Sequence, residues 1–213
     1  MVLGGSKVTD KLELIMNMLN VADEMIIGGG MGYPFLQEVY GYKLGITRVA
    51  LPENPKLLQE VVEKAKTKGV KMHFASDCIA AREMKPDAET RRFEFAKGLD
   101  ADFESFDIGP DTRARFAEVI KRSNSIFWNG PVGVFEIPQF RNGSEAVMRS
   151  IIGRTKEGAT SVVGGGDSVS LINTFNERKG FTFISTGGGA SLELMQGNKM
   201  PGIDSLSNID ELK

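Results

Sequence analysis

The sequence predicts an α/β fold, a three-layer α/β/α sandwich on a parallel Rossmann-like sheet, and three observations predict it. Short apolar runs alternate with segments of helical period along the chain. The runs are rich in β-branched and aromatic residues, as in parallel strands covered on both faces. Glycine clusters then follow the runs: 25 of the 213 residues are glycine, roughly 12% against a usual ~7%. Triplets stand at Gly28-Gly29-Gly30, Gly164-Gly165-Gly166 and Gly187-Gly188-Gly189, with a pair at Gly4-Gly5. The recurring unit is strand, glycine turn, helix, which implies right-handed crossovers and helices on both faces of one sheet.

Each element can be justified in order. Val8, Leu12, Ile15 and Leu19 recur with helical spacing, and Met25-Ile26-Ile27 is a strand before the first triplet. A second helix has Asn54 as N-cap, Pro55 in its first turn, Leu58, Val61, Val62 and Ala65 on one face, and Gly69 as its stop. Val70 to Phe74 reads as the next strand. The stretch from Ala80 to Phe106 has mixed charge, Pro86 and no clean period, and is expected to be a loop or a small antiparallel excursion. Pro110 to Arg122 suits a helix, Ser125 to Trp128 a strand and Gly143 to Thr155 a helix. Ser161-Val162-Val163 and Phe181 to Ile184 are strands before the last two triplets. No repeat or long linker appears, so residues 1–213 are expected to form one domain.

Composition limits the function. With 41% hydrophobic and 25% charged residues the chain is an ordinary globular domain, and a formal charge of −2 provides no basic field for nucleic acid or an anionic membrane. Neither is expected as a partner. One cysteine, Cys78, forms no internal disulfide, no apolar run approaches the ~20 residues of a membrane span, and the opening MVLGGSKV lacks the pattern of a secretory signal. A cytoplasmic location is expected. With His73 as the only histidine, a zinc site or a Cys-His nucleophile pair is disfavoured.

Open α/β sheets bind ligands beyond the carboxyl ends of their strands, where every glycine cluster falls. In LGGSKVTDKLELI, Lys7 and Lys11 lie four residues apart; a helix starting near Lys7 would present both ammonium groups on one face beside its free N–H groups, although a solvated lysine pair has the same spacing. In VVGGGDSVSLI, a strand leads through glycines into Asp167 and Ser168, which can serve a phosphate and a divalent cation or act as a plain helix cap. The segment is not a Walker A loop, and no dinucleotide fingerprint occurs, because Pro34 interrupts the alternating Gly28, Gly30 and Gly32. A nicotinamide-dependent dehydrogenase is therefore disfavoured. In IFWNGPVGVFE, Trp128 reads as core, Asn129 can offer an amide to a phosphate, and Glu136 can accept bonds from vicinal hydroxyls; a tight turn explains Asn-Gly-Pro equally well. The glycines of ISTGGGASLELM could face an anion or allow close helix packing.

Together these segments resemble the carboxyl-terminal, nucleotide-binding half of the phosphoglycerate kinase family, from LGGSKVTDKLELI through EMIIGGGM, WNGPVGVFE, VVGGGDS and STGGGASLELMQG to PGIDSLSNI. The resemblance implies reversible phosphoryl transfer between 1,3-bisphosphoglycerate and MgADP. It implies that Lys7 stabilises the transferring group with Gly165 and Gly166 as backbone donors, and that Lys11 contacts the nucleotide phosphates. Asp167 then holds Mg2+ together with those phosphates, and Ser168 is the hydroxyl residue beside it. Asn129 is a phosphate-side amide, Glu136 holds the ribose, and Gly5, Ser6, Gly29, Gly30, Pro131 and Gly133 wall the adenosine pocket. The implied ligands are ADP or ATP with Mg2+, and the implied partner is an amino-terminal, phosphoglycerate-binding lobe with no counterpart in this sequence, without which the chain is expected to bind nucleotide but not turn over. Ser105-Phe106 replaces a glycine and a small apolar residue of the adenine side, and Arg48 replaces an apolar one. These departures leave a second expectation open, a non-catalytic adenine-nucleotide-binding homologue.

Overall fold

The computed structural model describes residues 1–206. Its central sheet has six strands, all parallel, in the order β3-β2-β1-β7-β8-β9. In chain order the elements begin with β1 (Val2–Leu3), α1 (Leu12–Met18), β2 (Glu24–Ile27), α2 (Tyr33–Glu38), α3 (Lys56–Lys68) and β3 (Lys71–Phe74). Next come β4 (Asp77–Ala81), β5 (Thr90–Glu94), β6 (Glu104–Ile108), α4 (Pro110–Lys121), β7 (Ser125–Asn129) and α5 (Asn142–Lys156). The chain continues with β8 (Thr160–Gly164), α6 (Gly166–Thr174), β9 (Phe183–Ile184), α7 (Gly189–Gln196) and α8 (Pro201–Asp204). The residues Ser207 to Ile209, which close the PGIDSLSNI segment, lie outside the described part.

Strand alternation divides the core into two layers. Met25 and Ile27 of β2 join Leu14 and Ile15 of α1, Phe35 of α2 and Leu58 and Val61 of α3 on one face. Ile26 points the other way, with Trp128 and Val163, onto Phe116 of α4, Met148 and Ile151 of α5 and Leu171 of α6. Each face is thus sealed by helices, the arrangement that apolar parallel strands require.

One local expectation is corrected, and one that was left between two alternatives is decided. The first helix does not start near Lys7: a 3-10 turn covers Thr9–Lys11, and Lys11 itself has φ −132°, outside helical geometry, so the α-helical period starts at Leu12. Lys7 and Lys11 therefore do not share a helical face. The stretch from Ala80 to Phe106 is chiefly structured, with β4 pairing antiparallel to both β5 and β6 in a second, three-stranded sheet. The antiparallel alternative is the one realised. Elsewhere the capping logic holds: Asn54 Oδ1 accepts from the Lys56 N–H at 3.2 Å, and Gly69 ends α3 in the left-handed conformation.

The first residue of the chain is part of the sheet. Its α-ammonium donates to the Glu24 carbonyl at 2.7 Å, while its carbonyl accepts from the Ile26 N–H at 2.8 Å. Burial pulls the pKa of this ammonium down against the opposing charge of Glu24. Among the described residues no helix is long and apolar enough to cross a membrane.

Candidate functional site

Four adjacent strands, β2, β1, β7 and β8, end side by side, and the loops leaving them are bonded into one rim. Gly4 N–H donates to Asn129 O at 2.9 Å, Gly5 N–H to Pro131 O at 2.9 Å, Gly28 N–H to Leu3 O at 2.9 Å and Met31 N–H to Gly5 O at 3.1 Å. These loops approach so closely that a Cβ at Gly4 would lie 2.0 Å from the Pro131 carbonyl oxygen. The glycines between β1 and β7 are there because backbone meets backbone.

The phosphate-type features converge at β8. Gly165 has φ +90° and caps α6, and the first helical hydrogen bond beyond it runs from Val169 N–H to Gly165 O at 3.1 Å. The N–H groups of Gly166, Asp167 and Ser168 are left at the positive end of a nine-residue helix. Against this turn stands Asn129, 2% exposed, whose Nδ2 finds no partner among the described residues and would lie 2.8 Å from a Cβ at Gly165. An orphaned buried amide carries a desolvation cost of about 1 to 3 kcal/mol. A ligand oxygen at the Gly165 turn would remove it.

Lys11 reaches back from the start of α1 so that Nζ donates to Gly4 O at 2.8 Å. Burial lowers its pKa from 10.5 to about 8, and the Asp167 carboxylate opposes that lowering across the rim. Asp167 is exposed at the first turn of α6. No group of three or more His, Cys, Asp or Glu side chains that could hold a metal occurs among the described residues. A lone carboxylate beside free N–H groups fits Mg2+, which is commonly held through one or two carboxylates with substrate phosphates and water completing its shell.

The remaining candidates take different places. Gly5, Ser6 and Lys7 follow β1 along the rim, Lys7 with its side chain in solvent; Gly29 and Gly30 face them from the end of β2. Pro131 is buried at the turn after β7, Gly133 sits against Asp107, and Glu136 is exposed farther along the same loop. Ser168 is not a rim hydroxyl: it is fully buried, and its Oγ accepts from the Gly130 N–H at 2.6 Å, which pins the β7 loop to α6. Asp107 and Asp77 are the residues that sequence reasoning passed over. Asp77, fully buried, accepts from Thr112 N–H at 2.8 Å, Thr112 Oγ1 at 2.6 Å, Asp111 N–H at 3.2 Å and Arg92 Nε at 2.8 Å, and so fixes the start of α4. Burial raises its pKa, but those donors outweigh burial and hold it below the usual carboxylate value. The only sequence signal for either aspartate was the Asp107-Ile108-Gly109-Pro110 run.

The departures from the resembled pattern resolve into packing. Phe106 is buried against Phe140 with ring centroids 4.8 Å apart. Ser105 N–H donates to Thr47 Oγ1 at 3.0 Å, and its hydroxyl meets Tyr33 Oη at 2.9 Å. Tyr33, Ser105, Gly28 and Gly29 enclose a cavity of about 10 Å³. Arg48 lies in solvent with Nε 3.5 Å from Glu104.

Comparison with known proteins agrees with this geometry. The family described as Phosphoglycerate kinase matches residues 1–198. Phosphoglycerate kinase of Tetrahymena thermophila is 43% identical over 211 residues, 99% of this chain and 50% of that protein. Phosphoglycerate kinase 1 of Homo sapiens is 40% identical over 208 residues, 98% of this chain and 50% of that protein. The structure of phosphoglycerate kinase from Coxiella burnetii superposes with a TM-score of 0.89 at 36% identity over 95% of this chain and 51% of that one. The chain spans about half the length of the curated relatives it matches. With a six-stranded parallel sheet, a glycine rim at its carboxyl end and these likenesses in accord, the chain belongs to the phosphoglycerate kinase family.

Proposed function

We propose that residues 1–213 are the nucleotide-binding, carboxyl-terminal half of a cytoplasmic phosphoglycerate kinase, serving reversible phosphoryl transfer between 1,3-bisphosphoglycerate and MgADP to give 3-phosphoglycerate and MgATP in glycolysis. The observation that carries the reading is the unpartnered buried amide of Asn129 at the Gly165 turn, with Lys11 and Asp167 on the same rim. Phosphoryl transfer asks a protein chiefly for positioned cations and N–H dipoles, which this rim offers. Lys11, Asn129 and the N–H groups that open α6 bind and orient the phosphates. Lys7, Gly165 and Gly166 face the transferring group, while Glu136 takes the ribose hydroxyls and Gly5, Ser6, Gly29, Gly30, Pro131 and Gly133 flank the nucleoside. Ser168 acts indirectly, by holding Gly130 in place. Mg2+ held by Asp167 and the phosphates supplies charge neutralisation when bound. The partner is an amino-terminal, phosphoglycerate-binding lobe, without which the half binds nucleotide and does not turn over.

Calorimetric titration with MgADP tests the reading. Saturable binding that weakens in Asp167→Asn only when Mg2+ is present is expected, and absence of binding at millimolar nucleotide rejects it. The departures at Ser105, Phe106 and Arg48 from the resembled adenine-side pattern motivate a second reading, a non-catalytic adenine-nucleotide-binding homologue. Transfer activity recovered on mixing the chain with an amino-terminal half of a relative excludes that second reading.

A further inference from the structure

Asp107 is a buried acid enclosed by backbone, with no paired cation among the described residues. It is 1% exposed in β6; Oδ2 accepts from the Gly143 N–H at 2.7 Å, in the first turn of α5, and Oδ1 accepts from the Ile108 N–H at 2.9 Å. Oδ1 also presses on two glycines: a Cβ would fall 2.1 Å from it at Gly133 and 2.2 Å from it at Gly143. The charged group acting on it from a distance is Arg113 of α4, and Tyr33 of α2 and Cys78 of β4 feel its field. Burial, against the two N–H donors, drives its pKa up to about 8.

The loop between β7 and α5 is fastened at this point. Val134 N–H donates to Phe106 O at 2.9 Å, a Cβ at Gly133 would lie 2.6 Å from Phe140 O, and the Phe140 ring packs tilted against Phe106. The strand residue before Asp107, the middle of the loop and the start of α5 thus meet on one carboxyl group. Both of its hydrogen-bond partners are N–H donors, and a carboxyl keeps a lone pair for each of them whether ionised or protonated, whereas an asparagine there would turn an NH2 toward one of them.

We propose that Asp107 is a positioning residue: its carboxyl group clamps Gly133 between β6 and α5 and so fixes the loop that carries Pro131, Gly133 and Glu136. That this loop serves the nucleoside end of a ligand rests on the nucleotide reading above; the clamp itself does not.

Hydrogen exchange and paired titrations of the whole chain test both parts. In Asp107→Asn the amides of residues 132 to 140 are expected to exchange about tenfold faster, with those of β8 and α3 unchanged. MgADP affinity is expected to fall about tenfold, while affinity for inorganic pyrophosphate, which needs only the Lys11 and Gly165 side, stays within about twofold. Unchanged loop exchange, acceleration spread evenly over the chain, or equal loss of both ligands overturns the proposal. A wild-type chain that binds neither ligand refutes the nucleotide reading alone, and exchange still decides the clamp. If Asp107→Asn does not fold, Gly133→Ala strikes the same contact from the loop side and should give the same split; collapse of both variants also overturns a purely positional role.

Discussion

The charge on Lys11 should set how tightly the rim holds a polyphosphate. In the free protein its ammonium is mostly buried, donates to Gly4 O at 2.8 Å, and has its pKa lowered from 10.5 to about 8. A lowering of that size corresponds to about 3 kcal/mol of unfavourable desolvation held in the unliganded rim, which a phosphate oxygen beside Nζ would offset. With a pKa of about 8, about nine-tenths of the lysine is charged at pH 7 and about one-tenth at pH 9. If only the ammonium form binds, MgADP affinity falls about tenfold over that range, or about 1.4 kcal/mol. Isothermal calorimetry at pH 7, 8 and 9 reads the slope directly. At pH 8 the same titrations should show uptake of about half a proton, seen as a dependence of the enthalpy on the buffer. Lys11→Met should lose a charge-assisted bond of about 1.5 to 3 kcal/mol at pH 7 and bind with no slope. Lys11→Arg, charged throughout, should show no slope either. A flat wild-type profile, or a slope that persists in Lys11→Met, would refute the reasoning.

Three further outcomes are expected. Gly165→Ala places a Cβ at φ +90° and 2.8 Å from Asn129 Nδ2, which should cost about 1 to 2 kcal/mol in urea unfolding and abolish MgADP binding. Asp77→Ala strips acceptors from the Thr112 and Asp111 N–H groups and from Arg92, with an expected loss of about 3 kcal/mol by chemical denaturation. Because the folded pKa of Asp77 lies below its unfolded value, its contribution is present above about pH 4 and lost as pH falls through the folded pKa, so the variant should be less acid-sensitive than wild type. Ser168→Ala leaves the Gly130 N–H buried without its acceptor and should lower stability by about 1 to 3 kcal/mol, measured by thermal melting against a Val169→Ala control.

The central sheet was legible because its strands are apolar on both faces: Met25-Ile26-Ile27 and Ser161-Val162-Val163 serve two layers at once, so almost every residue in them is hydrophobic or small. The rim was legible for a related reason, since backbone packed on backbone at Gly4 and Gly130, and the Asn129 side chain set against the positive-φ Gly165, tolerate glycine and little else. The second sheet was hidden because β5 is mostly solvent-facing: Arg91 and Arg92 spend their charges on Asp100, Asp77 and Asp111, and Phe93 is the strand's one partly buried apolar side chain. The pair of lysines misled because helical spacing was read through a 3-10 turn that breaks the period. The roles of Asp107 and of the inward-turned Ser168 hydroxyl were not legible because their partners lie 36 and 38 residues away, at Gly143 and Gly130, and hydrogen bonds of such separation leave no local pattern. Buried polar side chains whose partners are backbone N–H groups look, in sequence, like any loop aspartate or helix serine.

The nitrogen of Met1 continues the β1 ladder: it donates to the Glu24 carbonyl, while the Met1 carbonyl accepts from the Ile26 N–H. A peptide N–H at that position would serve the same acceptor without bringing a buried charge. Extending the polypeptide ahead of β1 therefore asks for no rearrangement of the sheet, and a fusion placed there is expected to leave the register of β1 between β2 and β7 intact.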